Sequence, residues 1–171
     1  PAHGCGGDVS SSPQPHRASA HEDPRRVLWR RDVALIHDGL ARLQLDRGSV
    51  TEARREIDLA FKTLSGAPPS EDEGRRLAWQ LAITSGVVAD RAGQASIARR
   101  EWNSVVDSLW PSRDSLRDVR ELTWLTRALL HLGRVDDAAP LMERILKTGY
   151  RGSALMTLWE AKRNGRSTNR A

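Results

Sequence analysis

Few side chains here could work as catalytic partners. His37 and His131 are the two histidines beyond the polar N-terminal stretch. Neither has a Cys, Ser or carboxylate at a spacing diagnostic of nucleophilic or general acid–base chemistry, so both read as surface or groove histidines. Glu71, Asp72 and Glu73 form an acidic run, but they open a helical pattern, where negative charge suits the N-terminal dipole. His3, His16 and His21 lack the spacing of a metal site. No zincin, phosphate-loop or nucleophile-elbow motif occurs. An enzyme is not expected, and no cofactor or metal is implied.

Two arginine doublets are more informative. Ala53-Arg54-Arg55-Glu56 recurs as Ala98-Arg99-Arg100-Glu101, each copy starting five residues after a glycine, Gly48 or Gly93. Gly133 leads to Ala138 in the same way, and the three glycines lie 45 and 40 residues apart. Self-similarity at such a period implies stacked copies of one supersecondary unit. Stacking would set Arg54, Arg55, Arg99 and Arg100 side by side as a ladder able to meet phosphate or an acidic peptide. Local pairing with neighbours such as Glu52, Glu56 and Glu101 is the plainer expectation, and anion recognition by the ladder is the functional alternative.

The elements that would carry these residues are helices. Val27, Leu28, Val33, Leu35, Ile36, Leu40, Leu43 and Leu45 recur largely at three- and four-residue steps until Gly48 stops the run. Ser49 and Glu52 then form a capping box. A second helix puts Ala53, Ile57, Ala60, Phe61 and Leu64 on one stripe and ends at Gly66-Ala67-Pro68-Pro69. Ser70 and Glu73 form the next box. Leu77, Leu81, Val87 and Val88 precede the break at Ala92-Gly93, and Ile97, Ala98, Trp102, Val105, Val106 and Leu109 build the partner helix up to Trp110-Pro111. A third pair places Leu116, Val119, Leu122, Leu125, Leu129 and Leu132 before Gly133. Ala138, Leu141, Met142 and Ile145 follow it, with Pro140 tolerated near the helix start. Leu155, Met156, Leu158 and Trp159 mark a last amphipathic helix that caps the stack. Trp79, Trp102, Trp110 and Trp159 read as packing residues.

Composition agrees with a thin helical structure. The 171 residues are 39% apolar, 29% charged and 5% aromatic, with a net charge of +5 carried almost wholly by arginine. Acidic residues are interleaved throughout, so the basic pI describes a solvated surface more than a nucleic-acid footprint. Residues 1–24 hold almost no large apolar side chain except Val9 and are expected to be a disordered arm; the basic tail 164–171 is expected to fray. No run of residues is apolar enough for a membrane span, and a cytoplasmic location is expected. The chain starts at Pro1 and is expected to be a processed or partial product. The Gly4-Cys5-Gly6 start loosely resembles a bacterial lipoprotein junction, which would make a lipid anchor at Cys5 and a periplasmic location the alternative. Cys5 stands alone, so no intrachain disulfide forms.

Small residues recur where two helices must cross closely, and glycine recurs where the turn needs an unusual backbone. Leu122, Leu125, Thr126, Leu129, Gly133, Ala138, Met142 and Ile145 hold these positions in the third pair. Ala82, Gly86, Ala89, Gly93, Ala98, Trp102 and Val105 hold them in the second, and Leu40, Ala41, Gly48, Ala53, Ile57 and Ala60 in the first. From about Arg25 to about Arg163 the chain resembles tetratricopeptide-repeat (TPR) proteins. The resemblance implies an all-α, right-handed stack of about three TPR-like helix-turn-helix hairpins plus a C-terminal capping helix, an α-solenoid, over residues 25–163. Two departures stand against it. The period exceeds the family's usual value of about 34 residues, leaving HEAT-like repeats as the alternative, and the family's first-helix Trp and Tyr are replaced by smaller residues.

In that family the first helices line a concave groove, which nominates Asp38, Arg42, Gln80, Thr84, Arg120, Thr123, Trp124, Arg127 and His131 as facing residues. Arg120, Trp124 and Arg127 share a helix face and, with Arg42, Gln80 and His131, make the expected contact patch. The Lys/Asn pattern that grips C-terminal carboxylates in some members is missing. The closing Leu129-Leu130-His131-Leu132-Gly133-Arg134 and Thr148-Gly149-Tyr150-Arg151 phrases look like the repeat regions appended to bacterial regulators. The expected role is therefore a non-catalytic scaffold for a protein or peptide segment. The alternative is an accessory module that binds nucleic acid or an acidic partner through the arginine ladder and basic tail.

Overall fold

Gly48, Gly93, Gly133 and Gly149 all have φ between 74° and 84°, the left-handed conformation that lets a helix turn back and that glycine adopts without a Cβ penalty. In the computed structural model, which describes residues 24–65 and 72–168, three of them build the same joint. Gly48 N–H donates to Leu45 O at 3.0 Å and Ser49 N–H to Gln44 O at 2.9 Å. Gly93 and Gln94 repeat this with Asp90 and Ala89, and Gly133 and Arg134 with Leu130 and Leu129, at 2.8–3.1 Å. These paired bonds satisfy carbonyls that a helix end would otherwise orphan. Five residues after each glycine, Ala53, Ala98 and Ala138 are completely buried, so each joint delivers a small side chain into the helix crossing.

The joints separate α1 (Pro24–Asp46) from α2 (Val50–Leu64), α3 (Asp72–Arg91) from α4 (Ala95–Leu109), and α5 (Val119–His131) from α6 (Val135–Lys147). A 3₁₀ turn at Trp110–Ser112 follows α4, and α7 covers Ser153–Thr168. The fold is all-helical among the described residues. Each helix packs on its neighbour within a hairpin, α2 meets α3 and α4 meets α5, and α3 touches α1 and α5 while α7 rests on α5. No described helix is long and apolar enough to cross a membrane.

Several expectations need correction. Ser49 is the N-cap of α2 but makes no side-chain cap bond. Its ψ of 74°, set by the joint, falls short of the extended geometry a capping side chain needs. Gln94 and Arg134 behave alike at ψ 59° and 60°. The side chain that does cap is Asp118, at ψ 121°, which accepts from Arg120 N–H at 2.8 Å. Leu116 is buried but lies in the connection before α5, and Leu132 is the residue just after it. The last helix continues to Thr168, past Arg163 where the tail was expected to fray. The Ser70 box, the Gly66–Pro69 turn, Glu71, Cys5, the N-terminal histidines and the arm up to residue 23 lie outside the described residues.

The largest departure concerns α1. Leu28, Leu35, Ile36, Leu40 and Leu43, expected on its core stripe, are exposed, as is Trp29 at 65%. The buried face is instead Ala34, Asp38 and Ala41, spaced i, i+4, i+7. Small residues face α2 and α3 because close approach requires them, while the large ones stay exposed, Leu35 and Leu43 at the edges of hollows described below.

Candidate binding trough between α1, α3 and α5

The trough rests on one carboxylate. Asp38 is completely buried on α1 and accepts from Gln80 Nε2 and Thr84 Oγ1 of α3, both at 2.6 Å. Arg42 Nη2, one turn along α1, reaches it at 2.8 Å. Both oxygens are thus answered by donors, the condition under which an ionised carboxylate survives burial. Gln80, Thr84 and Arg42 are held where they line the surface above.

A charge chain fastens the other end of the same three helices. Arg31 of α1 pairs with Glu73 of α3 at 2.6 Å. Arg76, one turn on, meets Glu121 of α5 at 3.0 Å and Asp118 at 3.8 Å. The Arg120 side-chain contact, more than its cap bond, holds the Asp118 carboxyl below the usual range against the cost of desolvation. The hydrogen bond from Arg76 to Glu121 likewise raises the Arg76 guanidinium.

Three hollows that share residues lie along the same helices. The largest, about 480 Å³, runs along α1 and α3 past Leu43, Leu45 and Val87 to Arg127 and Ala154. The second, about 200 Å³, is lined by Arg42, Gln80, Thr84, Arg120, Trp124, Arg127 and Tyr150, among others. The third, about 100 Å³, shares Gln80, Arg120 and Trp124 with the second and reaches Arg31 and Leu35. Five of the six residues nominated from sequence, Arg42, Gln80, Arg120, Trp124 and Arg127, therefore line one hollow, and Thr84 and Thr123 join them. Trp124 is also core: only 8% exposed, it packs tilted against Trp79 with centroids 6.3 Å apart.

His131 is the exception and lines none of these hollows. Its ring stacks on Trp102 of α4, centroids 4.6 Å apart and 11° from parallel. Burial, with smaller contributions from the Arg127 and Lys162 cations, pushes its pKa down to about 4, so it is neutral near pH 7. His37 also differs from expectation: Glu56 of α2 sits 2.7 Å from its Nδ1, a carboxylate partner 19 residues away.

Arg127 is a groove cation with a buried donor that nothing answers. Its Nε is buried with no hydrogen-bond partner, and among the described residues no carboxylate lies within ion-pair distance. Desolvation and the nearby Arg42 both lower its pKa from an extreme value, yet a guanidinium stays charged. Sequence spacing placed Arg127 on the trough; only the contacts show that it lacks a partner.

The arginine ladder divides. Arg54 is half-buried and donates to Gln94 Oε1 across the hairpins at 2.7 Å, while Arg100 pairs with its neighbour Glu101 at 3.4 Å. Arg55 and Arg99 are exposed. Glu56, a possible local partner, is taken by His37. Among the described residues no cluster of three His, Cys, Asp or Glu could hold a metal. Comparison with protein-family models, curated proteins and solved structures finds no match for the chain.

Proposed function

We propose that this chain is a non-catalytic scaffold whose trough between α1, α3 and α5 receives a segment of another protein. In this reading the three hairpins form a right-handed TPR-like α-solenoid with α7 as its cap, the kind of module appended to larger bacterial regulators. The repeated glycine joint and the serial packing of α1, α3, α5 and α7 support that architecture. The observation that carries the function is the shared hollow. Arg42, Gln80, Arg120, Trp124 and Arg127 converge there from three helices, the first four fixed by contacts outside the cavity or by burial.

Selection of a displayed peptide library on the full chain tests it. Enriched peptides should bind with shallow salt dependence and lose affinity with Trp124→Leu, while Arg55→Ala/Arg99→Ala leaves them unchanged. The competing nucleic-acid reading predicts the reverse: dependence on Arg55 and Arg99, and log K falling with log salt at about −0.7 to −0.9 per phosphate contacted.

A further inference from the structure

We infer that the trough recognises an acidic side chain within a peptide, Asp or Glu beside an apolar residue, with the carboxylate on Arg127 and the apolar neighbour in the hollow lined by Leu43, Leu45 and Val87. This deepens the scaffold reading and rests on it. Arg42 already faces Asp38 and Arg120 already faces Asp118. Arg127, between the two larger hollows and lining both, keeps a buried donor with nothing to bind. An unanswered buried donor carries the full cost of its desolvation, and an incoming carboxylate removes that cost while making a charge-assisted hydrogen bond.

The composition of the larger hollow sets the rest of the ligand. Arg42, Arg91 and Arg127 line it against one carboxylate, Asp46. With Arg42 balanced by Asp38, the surplus is positive, and Asp46 disfavours a second ligand anion nearby. Leu43, Leu45, Val87 and Ala154 form an apolar wall along the same hollow, which suits an aliphatic side chain and gives a polyphosphate backbone nothing to pack on. A volume of about 480 Å³ accommodates two adjacent side chains of a peptide, well within the range of ligand sites of about 300–1,000 Å³.

The test uses the full chain and two pools of heptapeptides, blocked at both ends, with a central Leu-Glu or Leu-Gln and otherwise randomised neutral positions. Binding is read by arginine Nε–Hε NMR and by titration. The Glu pool should bind at least about tenfold more tightly than the Gln pool and shift the Arg127 signal, the discrimination expected of one charged hydrogen bond. Arg127→Met should bring the Glu pool to the Gln pool's affinity. Equal binding of both pools overturns the acidic specificity and leaves the trough as a binding site. No groove signal moving with either pool overturns the scaffold reading as well. A shift of Arg127 with inorganic phosphate but not with the Glu pool also refutes the inference, because the site would then be a free-anion site.

Discussion

Gly86 is the residue whose replacement most sharply tests the hairpin packing. A Cβ built on it would lie 2.1 Å from Trp102 Nε1 and 2.6 Å from Cδ1 and Cε2. The indole cannot step aside freely, since its Nε1 donates to Ile83 O at 3.4 Å and its face stacks on His131. To regain ordinary contact the ring must retreat by at least about 1.3 Å, which puts the cost near the top of the usual overpacking range, about 3 kcal/mol. Alanine gains about 1 kcal/mol of helix propensity over glycine, so Gly86→Ala should cost about 2 kcal/mol net. Counted from their glycine joints, the equivalent positions in the other hairpins are Ala41 with Ile57 and Thr126 with Met142, all buried, a larger first-helix residue going with a smaller second-helix one. In a Trp102→Ile background, then, Gly86→Ala should stabilise by up to about 1 kcal/mol. Urea unfolding followed by far-UV circular dichroism measures all four members of the cycle. The packing argument is refuted if Gly86→Ala lies within about 0.5 kcal/mol of the parent, or if its effect has the same sign in both backgrounds.

Other expectations follow from the same contacts. His131 is held near pKa 4 when folded and returns to about 6.5 when unfolded, so the unfolded chain binds the extra proton between those values. Its contribution is complete above about pH 6.5 and lost as pH falls towards 4, by up to about 3 kcal/mol, and His131→Gln should flatten that slope in a series of urea titrations. Asp38→Asn leaves Arg42 without its counter-charge and turns an amide nitrogen toward one of the remaining donors, so it should cost about 2–3 kcal/mol by the same assay. Gly93→Ala, at φ +74°, should cost about 1–2 kcal/mol and lower the melting temperature, while helical circular dichroism at 20 °C stays unchanged.

What could be read from sequence, and what could not, divides on physical grounds. The joints were legible because a helix reversal needs left-handed backbone, and Gly48, Gly93 and Gly133 announce it where they stand. The partners of the trough were not, because Asp38 meets donors 42 and 46 residues away and Arg76 meets Glu121 across 45, separations no local pattern marks. The face of α1 was misread for a related reason. Helical periodicity shows that Leu28, Ile36, Leu40 and Leu43 fall on a common side of a helix but not which side has a neighbour, and Ala34, Asp38 and Ala41 took the contact. The cap on α5 does carry a signal in the sequence, Asp118 followed three residues later by Glu121. Arg120, Trp124 and Arg127 were placed together by simple helix spacing, whereas His131, one turn further, is drawn away by the Trp102 ring.

The account depends most on α3 lying between α1 and α5, and paired cysteines test this directly. In a Cys5→Ser background, Arg31→Cys/Glu73→Cys and Arg76→Cys/Glu121→Cys each replace a contact between neighbouring helices. Both pairs should cross-link rapidly and within one chain with a short bis-maleimide, while Arg31→Cys/Glu121→Cys reacts slowly. Cross-linking of the α1–α5 pair at the rate of the other two, or failure of either adjacent pair in a protein that remains helical, would contradict the arrangement.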